Sequence, residues 1–400
     1  MVVLIYPYNM KRTLYIIGGI LIVILIAIWM FLLFASDEQK TEVYNRFGIS
    51  GSSEEGIFEE VIDAIIPDVF QKQYLRQLTT KRVIGYTEVV TASSTLVYFV
   101  EGGTGHVYTI DPMIENSENR VSNITIPMAT QSTISADGTR IAIRSGNQTE
   151  SGLTILIRNG ELFDTYNLEE PVRDFTLSTN GDLLYTTAGE SGLSGYIFDI
   201  DTRTTRALFE IPFREATIVW GGTAEGLHYV YPKASRYLEG YLYAVKDGRF
   251  SRLPASGFGL TAQDGGEYAI YSKLNNGSYE SLVLNIESGK SDVLPGSFIP
   301  EKCTFSGTAT YCAAGGAIEK NYDFPDNWYR GEISFADAIW EISTDGLWTN
   351  MVVDTFKTTN RELDIISLTA GTQGKLLYFI NKNDHSLWAY EFEVVNNTSE

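Results

Sequence analysis

Cysteine and histidine are scarce in this 400-residue sequence, with two of the first and three of the second. Two cysteines exclude a disulfide framework and a zinc ribbon, both of which need more. The histidines, His106, His228 and His385, sit singly in strand or turn contexts, which reads as structural rather than metal-ligating. Basic residues are also few. Thirty Lys and Arg stand against 50 Asp and Glu, for a formal net charge of −20. A phosphate backbone would be repelled by that balance, so nucleic-acid binding is excluded as a function class. Catalytic signatures are missing too. "GLSGY" at 192–196 is not a G-x-S-x-G nucleophile elbow, and no D-x-D-x-D-G calcium loop occurs. No catalytic residue, metal ligand or cofactor is therefore predicted.

Aromatic residues, by contrast, are plentiful, with 24 Tyr and 20 Phe, as suits a strand-rich fold. One long apolar run occurs, "LYIIGGILIVILIAIWMFLLFA", residues 14–35, without a charge. As a helix rising 1.5 Å per residue it crosses a hydrocarbon core of about 30 Å. The alternative is a cleaved signal peptide. Such a peptide would have a shorter apolar region ending in a small-x-small site, and this run ends Leu33-Phe34-Ala35. An uncleaved anchor is the expectation. Lys11 and Arg12 precede it and Asp37 and Glu38 follow, so residues 1–13 are a cytoplasmic stub and the remainder lies outside. Met10 would itself make a natural start. Residues 36–73 read as a linker, with a Gly/Ser stretch and then "IFEEVIDAIIPDVF" at helical spacing. That short amphipathic helix would pack under the main domain, lie on the membrane or mediate self-association.

From residue 74 to 395 the chain repeats about every 42 residues, a period that means a propeller, a solenoid or an array. Pro127, Pro171, Pro212, Pro254 and Pro295 close short apolar runs at intervals of 44, 41, 42 and 41 residues. Each unit reads as four strands. The first turn recurs as "SADGTR" (135–140), "STNGDL" (178–183) and "AQDGGE" (262–267), with Asp-Gly and Asn-Gly pairs where a tight hairpin needs positive φ. Strongly apolar second and third strands follow, as in "RIAIRS" and "LTILIR". Proline belongs at the close of the fourth strand, which is outermost, where a missing N–H costs least. Units fall at 83–127, 128–171, 172–212, 213–254, 255–295 and 296–357. A seventh follows Asn360 with only three strands. "YLRQLTT" (74–80) is available as its fourth, which would leave no open sheet edge. The expected fold is thus all-β: a seven-bladed β-propeller with 3+1 strand closure, preceded by a single transmembrane α-helix. Residues 396–400 are a tail.

"SADGTRIAIRS" resembles the first-turn signature of WD40-like and TolB-type propeller repeats, although the Gly-His and Trp-Asp pairs of true WD40 repeats are missing. The segment "PEKCTFSGTATYCAAG…YDFPDNWYRGEISFADAIWEI" resembles a motif of membrane-anchored propellers of small-genome bacteria, a likeness that implies no activity. "STDGLW" (343–348) is one residue short of the Asp-box of sialidases. Asn-x-Ser/Thr sequons stand at Asn123, Asn147, Asn276, Asn396 and Asn397.

The sixth unit departs from the period. Cys303 and Cys312 flank a turn at Gly307-Thr308, and a two-residue hairpin there places them opposite one another, with Cα atoms about 4.5 Å apart. That lies within disulfide range and predicts an oxidised pair outside the cytoplasm, in preference to two free thiols or a redox dithiol. Residues 315–337 are an insertion between the second and third strands. Its aromatics, Tyr322, Phe324, Trp328 and Tyr329, beside Asp326 and Arg330, have the composition of a binding hot spot. The competing reading is a loop that folds back and plugs the channel. Either way it belongs on the membrane-distal rim. Two functions remain open. One is a non-enzymatic scaffold for other proteins of the cell envelope, anchored in the plasma membrane. The other is a carbohydrate-binding or glycosidase-like protein using the channel mouth.

Overall fold

A computed structural model describes residues 74–147, 151–306, 309–316, 322–343 and 348–392. The expected anchor at 14–35, the linker helix and the sequons at Asn396 and Asn397 lie outside the described residues. Among those described, no helix is long and apolar enough to cross a membrane.

The described chain is built from antiparallel sheets arranged in sequence order, with two short helices, Asp326–Tyr329 and Thr355–Thr359. The second strands of the units are almost wholly buried: Ile141, Ala142 and Ile143; Leu183, Leu184 and Tyr185; Leu377, Tyr378 and Phe379. Strands covered on both faces read as continuous apolar runs, and these do. Each sheet shares a buried cluster with the next. Val100 and Val107 pack with Ile141 and Ile143, Ile155 with Phe175 and Tyr185, and Phe209 with Val230. Tyr229 then packs with Tyr271, Ile270 with Ile342, and Ala313 with Phe379. Tyr378 and Leu387, near the end of the chain, pack with Val97 and Phe99 near its beginning.

The Asp-Gly turns behave as their chemistry demands. In "SADGTR", the Ser135 hydroxyl donates to Asp137 at 2.5 Å and accepts from the Arg140 amide at 3.0 Å, while Gly138 takes φ +69°. Burial raises the Asp137 carboxyl, but hydrogen bonds from Ser135 and Thr139 outweigh it and hold the group below its ordinary value. In "STNGDL", the Ser178 hydroxyl accepts from the Asp182 amide at 3.1 Å and Gly181 takes φ +83°.

Most of "YLRQLTT" forms a strand. Leu75–Thr79 pairs antiparallel with Leu387–Glu391, which is followed inward by Leu376–Asn381 and Ile365–Ala370. The hairpin at the cysteines also has the expected register, Cys303 opposite Cys312 and Ser306 opposite Ala309. The disulfide is formed, with Cα atoms 4.0 Å apart.

Pro254 departs from its expected role. It does not close a strand but lies inside Arg249–Gly265, a 17-residue strand that belongs to two successive sheets and merges them into one of seven strands. Residues Arg249–Phe258 pair with Glu239–Lys246, and Phe258–Gly265 pair with Tyr268–Asn275. The pairing shifts register between Tyr241 and Tyr243, opposite Pro254, so the proline falls on a bulge that asks for no N–H. The chain therefore passes from sheet to sheet without a turn.

Candidate functional site on the rim of the insertion

The insertion is described from Tyr322 to Asp337. The chain turns at Phe324-Pro325 into the helix Asp326–Tyr329, whose Trp328 and Tyr329 amides both donate to the Pro325 carbonyl at 3.1 Å. This turn sorts the aromatics. Phe324 and Trp328 are 1% and 4% exposed and join a cluster with Tyr279 and Ile299, while Tyr322 and Tyr329 are 41% and 44% exposed. The Phe324 ring meets Tyr279 edge-on at 4.6 Å. Two of the four aromatics expected at a hot spot, Phe324 and Trp328, are therefore buried in this cluster.

The polar residues tie the insertion to its neighbours. Asp326 accepts the Arg236 amide at 2.7 Å, the Arg236 guanidinium donates to the Tyr322 carbonyl at 2.7 Å, and it stands 3.6 Å from Asp323. Arg236 belongs to the loop between His228–Pro232 and Glu239–Lys246. On the other side, Lys382 donates to the Trp328 carbonyl, and Ser334 bonds Asn383 at 2.7 Å. Both partners follow Leu376–Asn381. Arg330 does not reach across. It is bidentate to Glu332, two residues on, at 2.7 and 3.1 Å. The insertion thus braces loops that join second to third strands and packs on the sheet-to-sheet connections at Ile299 and Asp364.

Exposed apolar groups gather around this brace. Tyr237 and Leu238, from the Arg236 loop, are 67% and 60% exposed, and Phe258 is 49% exposed. With Tyr322 and Tyr329 they frame the charges of Asp323, Asp326, Arg236 and Arg330. Tyr237 was not singled out from the sequence. "PKASRYLEG" (232–240) nevertheless carried the same signal as the insertion: a longer loop between second and third strands, with an arginine and a tyrosine.

Beneath the helix lie two groups that the sequence concealed. Glu301 accepts from the Tyr231 hydroxyl at 3.2 Å and from the Tyr329 hydroxyl. Burial pushes its carboxyl above the ordinary range against those bonds, and its second oxygen has no partner. Next to it, the fully buried Lys302 ammonium lies 2.6 Å from Asp337 and 2.5 Å from Asp364. The Trp328 indole donates to Asp364 at 3.1 Å, and Lys382 stands 3.9 Å from it. Buried charges persist when paired in this way. No signal in "PEKC" marks Lys302 as buried.

A glycosidase needs two carboxylates facing each other across an open cleft. Here Glu301 is held by Tyr329, and Asp337 and Asp364 are occupied by Lys302. The His228 ring is spent on backbone groups, accepting from the Gly221 amide at 2.9 Å and facing the Ala224 carbonyl at 3.4 Å. A cavity of about 460 Å³, lined by Tyr268, Val283, Phe305 and Ile342, opens beside the turn Gly265–Tyr268 and gathers no catalytic set among the described residues.

No protein-family model matches this chain, and no curated protein matches it. Solved structures do. The structure of "YCF48 bound to D1 peptide" is 10% identical, with a TM-score of 0.56 over 82% of this chain and 100% of that one. The β-propeller domain of the trilobed protease from Pyrococcus furiosus is 12% identical, with a TM-score of 0.50 over 78% of this chain and 96% of that one. TolB from Acinetobacter baumannii is 14% identical, with a TM-score of 0.40 over 66% and 62%. At these identities the likeness speaks for architecture alone, and the architecture is shared: this chain is a β-propeller.

Proposed function

We propose that this chain is a seven-bladed propeller, closed 3+1 through Leu75–Thr79, that binds a protein partner on the rim carrying the insertion. Residues 14–35 anchor it in the plasma membrane, with the propeller outside the cytoplasm and the partner among envelope proteins. The blade count rests on 27 strands among the described residues, of which Arg249–Gly265 serves two sheets, and on clusters that link every sheet to the next and the last to the first. The binding reading rests on one observation: Tyr237, Leu238, Phe258, Tyr322 and Tyr329 are exposed around a brace held by Arg236 and Asp326. Tyrosine with arginine on a rigid base is the composition of an interface centre. The YCF48 structure, as its description states, holds a peptide, which supports the same use of this architecture here.

Photo-crosslinking in intact cells tests the proposal. A crosslinker replacing Tyr237 or Tyr322 should capture one discrete protein partner. One replacing Thr202, in the turn after Leu193–Asp199, should not. Equal capture from all three positions, or none from any, overturns the reading.

A further inference from the structure

We propose that Lys302 and Asp337 become joined after folding by an amide bond between the Lys302 amine and the Asp337 side-chain carboxyl, with Asp364 carrying the protons. The chain would then hold a covalent crosslink between the connection that precedes Cys303–Ser306 and the end of the insertion.

The arrangement contains each part that such a condensation needs. The nucleophile and its target are in contact, with Lys302 Nζ 2.6 Å from Asp337 Oδ2, and both side chains are at most 1% exposed. A second carboxylate, Asp364, touches the same nitrogen at 2.5 Å and is itself fully buried. Its position is fixed by the Trp328 indole, at 3.1 and 3.2 Å. The Trp328 and Phe335 rings stand 5.2 and 4.8 Å from Nζ and keep solvent away. The Ile365 amide donates to Asp337 Oδ2 at 2.7 Å, where negative charge develops when an amine adds to the carboxyl carbon. Asp337 Oδ1, in contrast, is buried without a hydrogen-bond partner. A void of about 10 Å³ lined by Lys302, Gly315, Gly316, Phe335 and Asp337 adjoins this group, the size that holds one water.

The step balances without an oxidant or a co-reactant. Burial favours the neutral acid form of Asp337, although Lys302 opposes it. Asp364 takes one proton from the Lys302 ammonium. The free amine adds to the Asp337 carboxyl carbon, forming the C–N bond and a tetrahedral centre whose Oδ2 is held by the Ile365 amide. A second amine proton passes by way of Asp364 to the Oδ1 hydroxyl. The C–Oδ1 bond then breaks, water leaves, and Oδ2 becomes the amide carbonyl oxygen. One proton remains on Asp364. Condensation of an amine with a carboxylic acid is unfavourable in water. Two effects reverse that here: a pair held in place reacts as if at about 10⁵ M or more, and the product replaces buried ions with a neutral group.

The mass of the reduced full chain decides the matter. The wild type should be lighter than its sequence by one water, and proteolysis should release a branched peptide, stable to reductant, joining Lys302 to the segment containing Asp337. An Asp337→Asn chain should lose one ammonia instead of water. Lys302→Arg and Asp337→Ala chains should have their full masses, and an Asp364→Asn chain should stay unlinked. A wild-type chain at full mass overturns the proposal whether or not any variant folds. So does a loss of water that persists in Lys302→Arg.

Discussion

Trp328 and Tyr322 stand six residues apart in one loop and carry different burdens. Trp328 is buried and donates to Asp364, whereas Tyr322 is 41% exposed. Truncating a buried tryptophan costs about 3–5 kcal/mol, and surface changes stay within about 0.5 kcal/mol. Urea denaturation of Trp328→Ala and Tyr322→Ala should therefore separate sharply, with only the second retaining wild-type stability. Aromatic and acidic residues in an insertion mark it as special, but composition does not distinguish a ring that faces a partner from one that fills the floor. That is why Phe324 and Trp328 were legible as important and not as core. Glu301 supplies a second residue-scale expectation. Its folded form holds a proton more tightly than an unfolded glutamate does, because burial raises its pKa. The sign follows from linkage: the native state binds more protons, so stability is greatest below the unfolded value and falls as pH rises through the folded one. Glu301→Gln keeps an acceptor for Tyr231 and Tyr329 while removing the charge. It should flatten that decline and raise stability at neutral pH, as read from melting temperatures across a pH series.

At the scale of elements, most strands were legible because burial imposes continuous apolar runs bounded by Asp-Gly or Asn-Gly turns. The Cys303–Cys312 pairing followed from the same register arithmetic. Both sulfurs lie in an apolar cluster with Ile270, Phe298 and Ile342. Closing a loop this short should still contribute about 2 kcal/mol. A Cys303→Ala, Cys312→Ala chain should unfold at lower urea by that amount, and reductant should shift the wild type to match it. Pro254 was not legible. A proline after "FSRL" has one meaning at a strand end and another on a bulge, and only the partner strand, with its register shift at Tyr241, decides between them. The Lys302 pair was hidden for a related reason. Asp337 and Asp364 are 35 and 62 residues away in sequence; the first meets Lys302 through the folding of one sheet and the second through its packing on the next.

For the molecule as a whole, the repeat period announced the architecture, and the short final unit announced the need for a strand from elsewhere. Leu75 is 1% exposed and belongs to a cluster with Ile365, Leu377 and Trp388. Deleting residues 74–80 should expose that cluster and the edge of Leu387–Glu391, producing aggregates on size exclusion, whereas a chain starting at residue 73 should elute as a folded species. Function was far less legible than fold, because propeller repeats encode sheets and leave binding to whatever decorates the rim.

The strand Arg249–Gly265 has a mechanical consequence. Among the described residues the other passages between neighbouring sheets leave the strand ladder, but here the same backbone is hydrogen-bonded on both sides of the joint. The two sheets cannot open one after the other, since loosening either frays the ladder of both. Native-state hydrogen exchange should find amides of Glu239–Lys246 and Tyr268–Asn275 surrendering their protons at one common free energy, as a single unit.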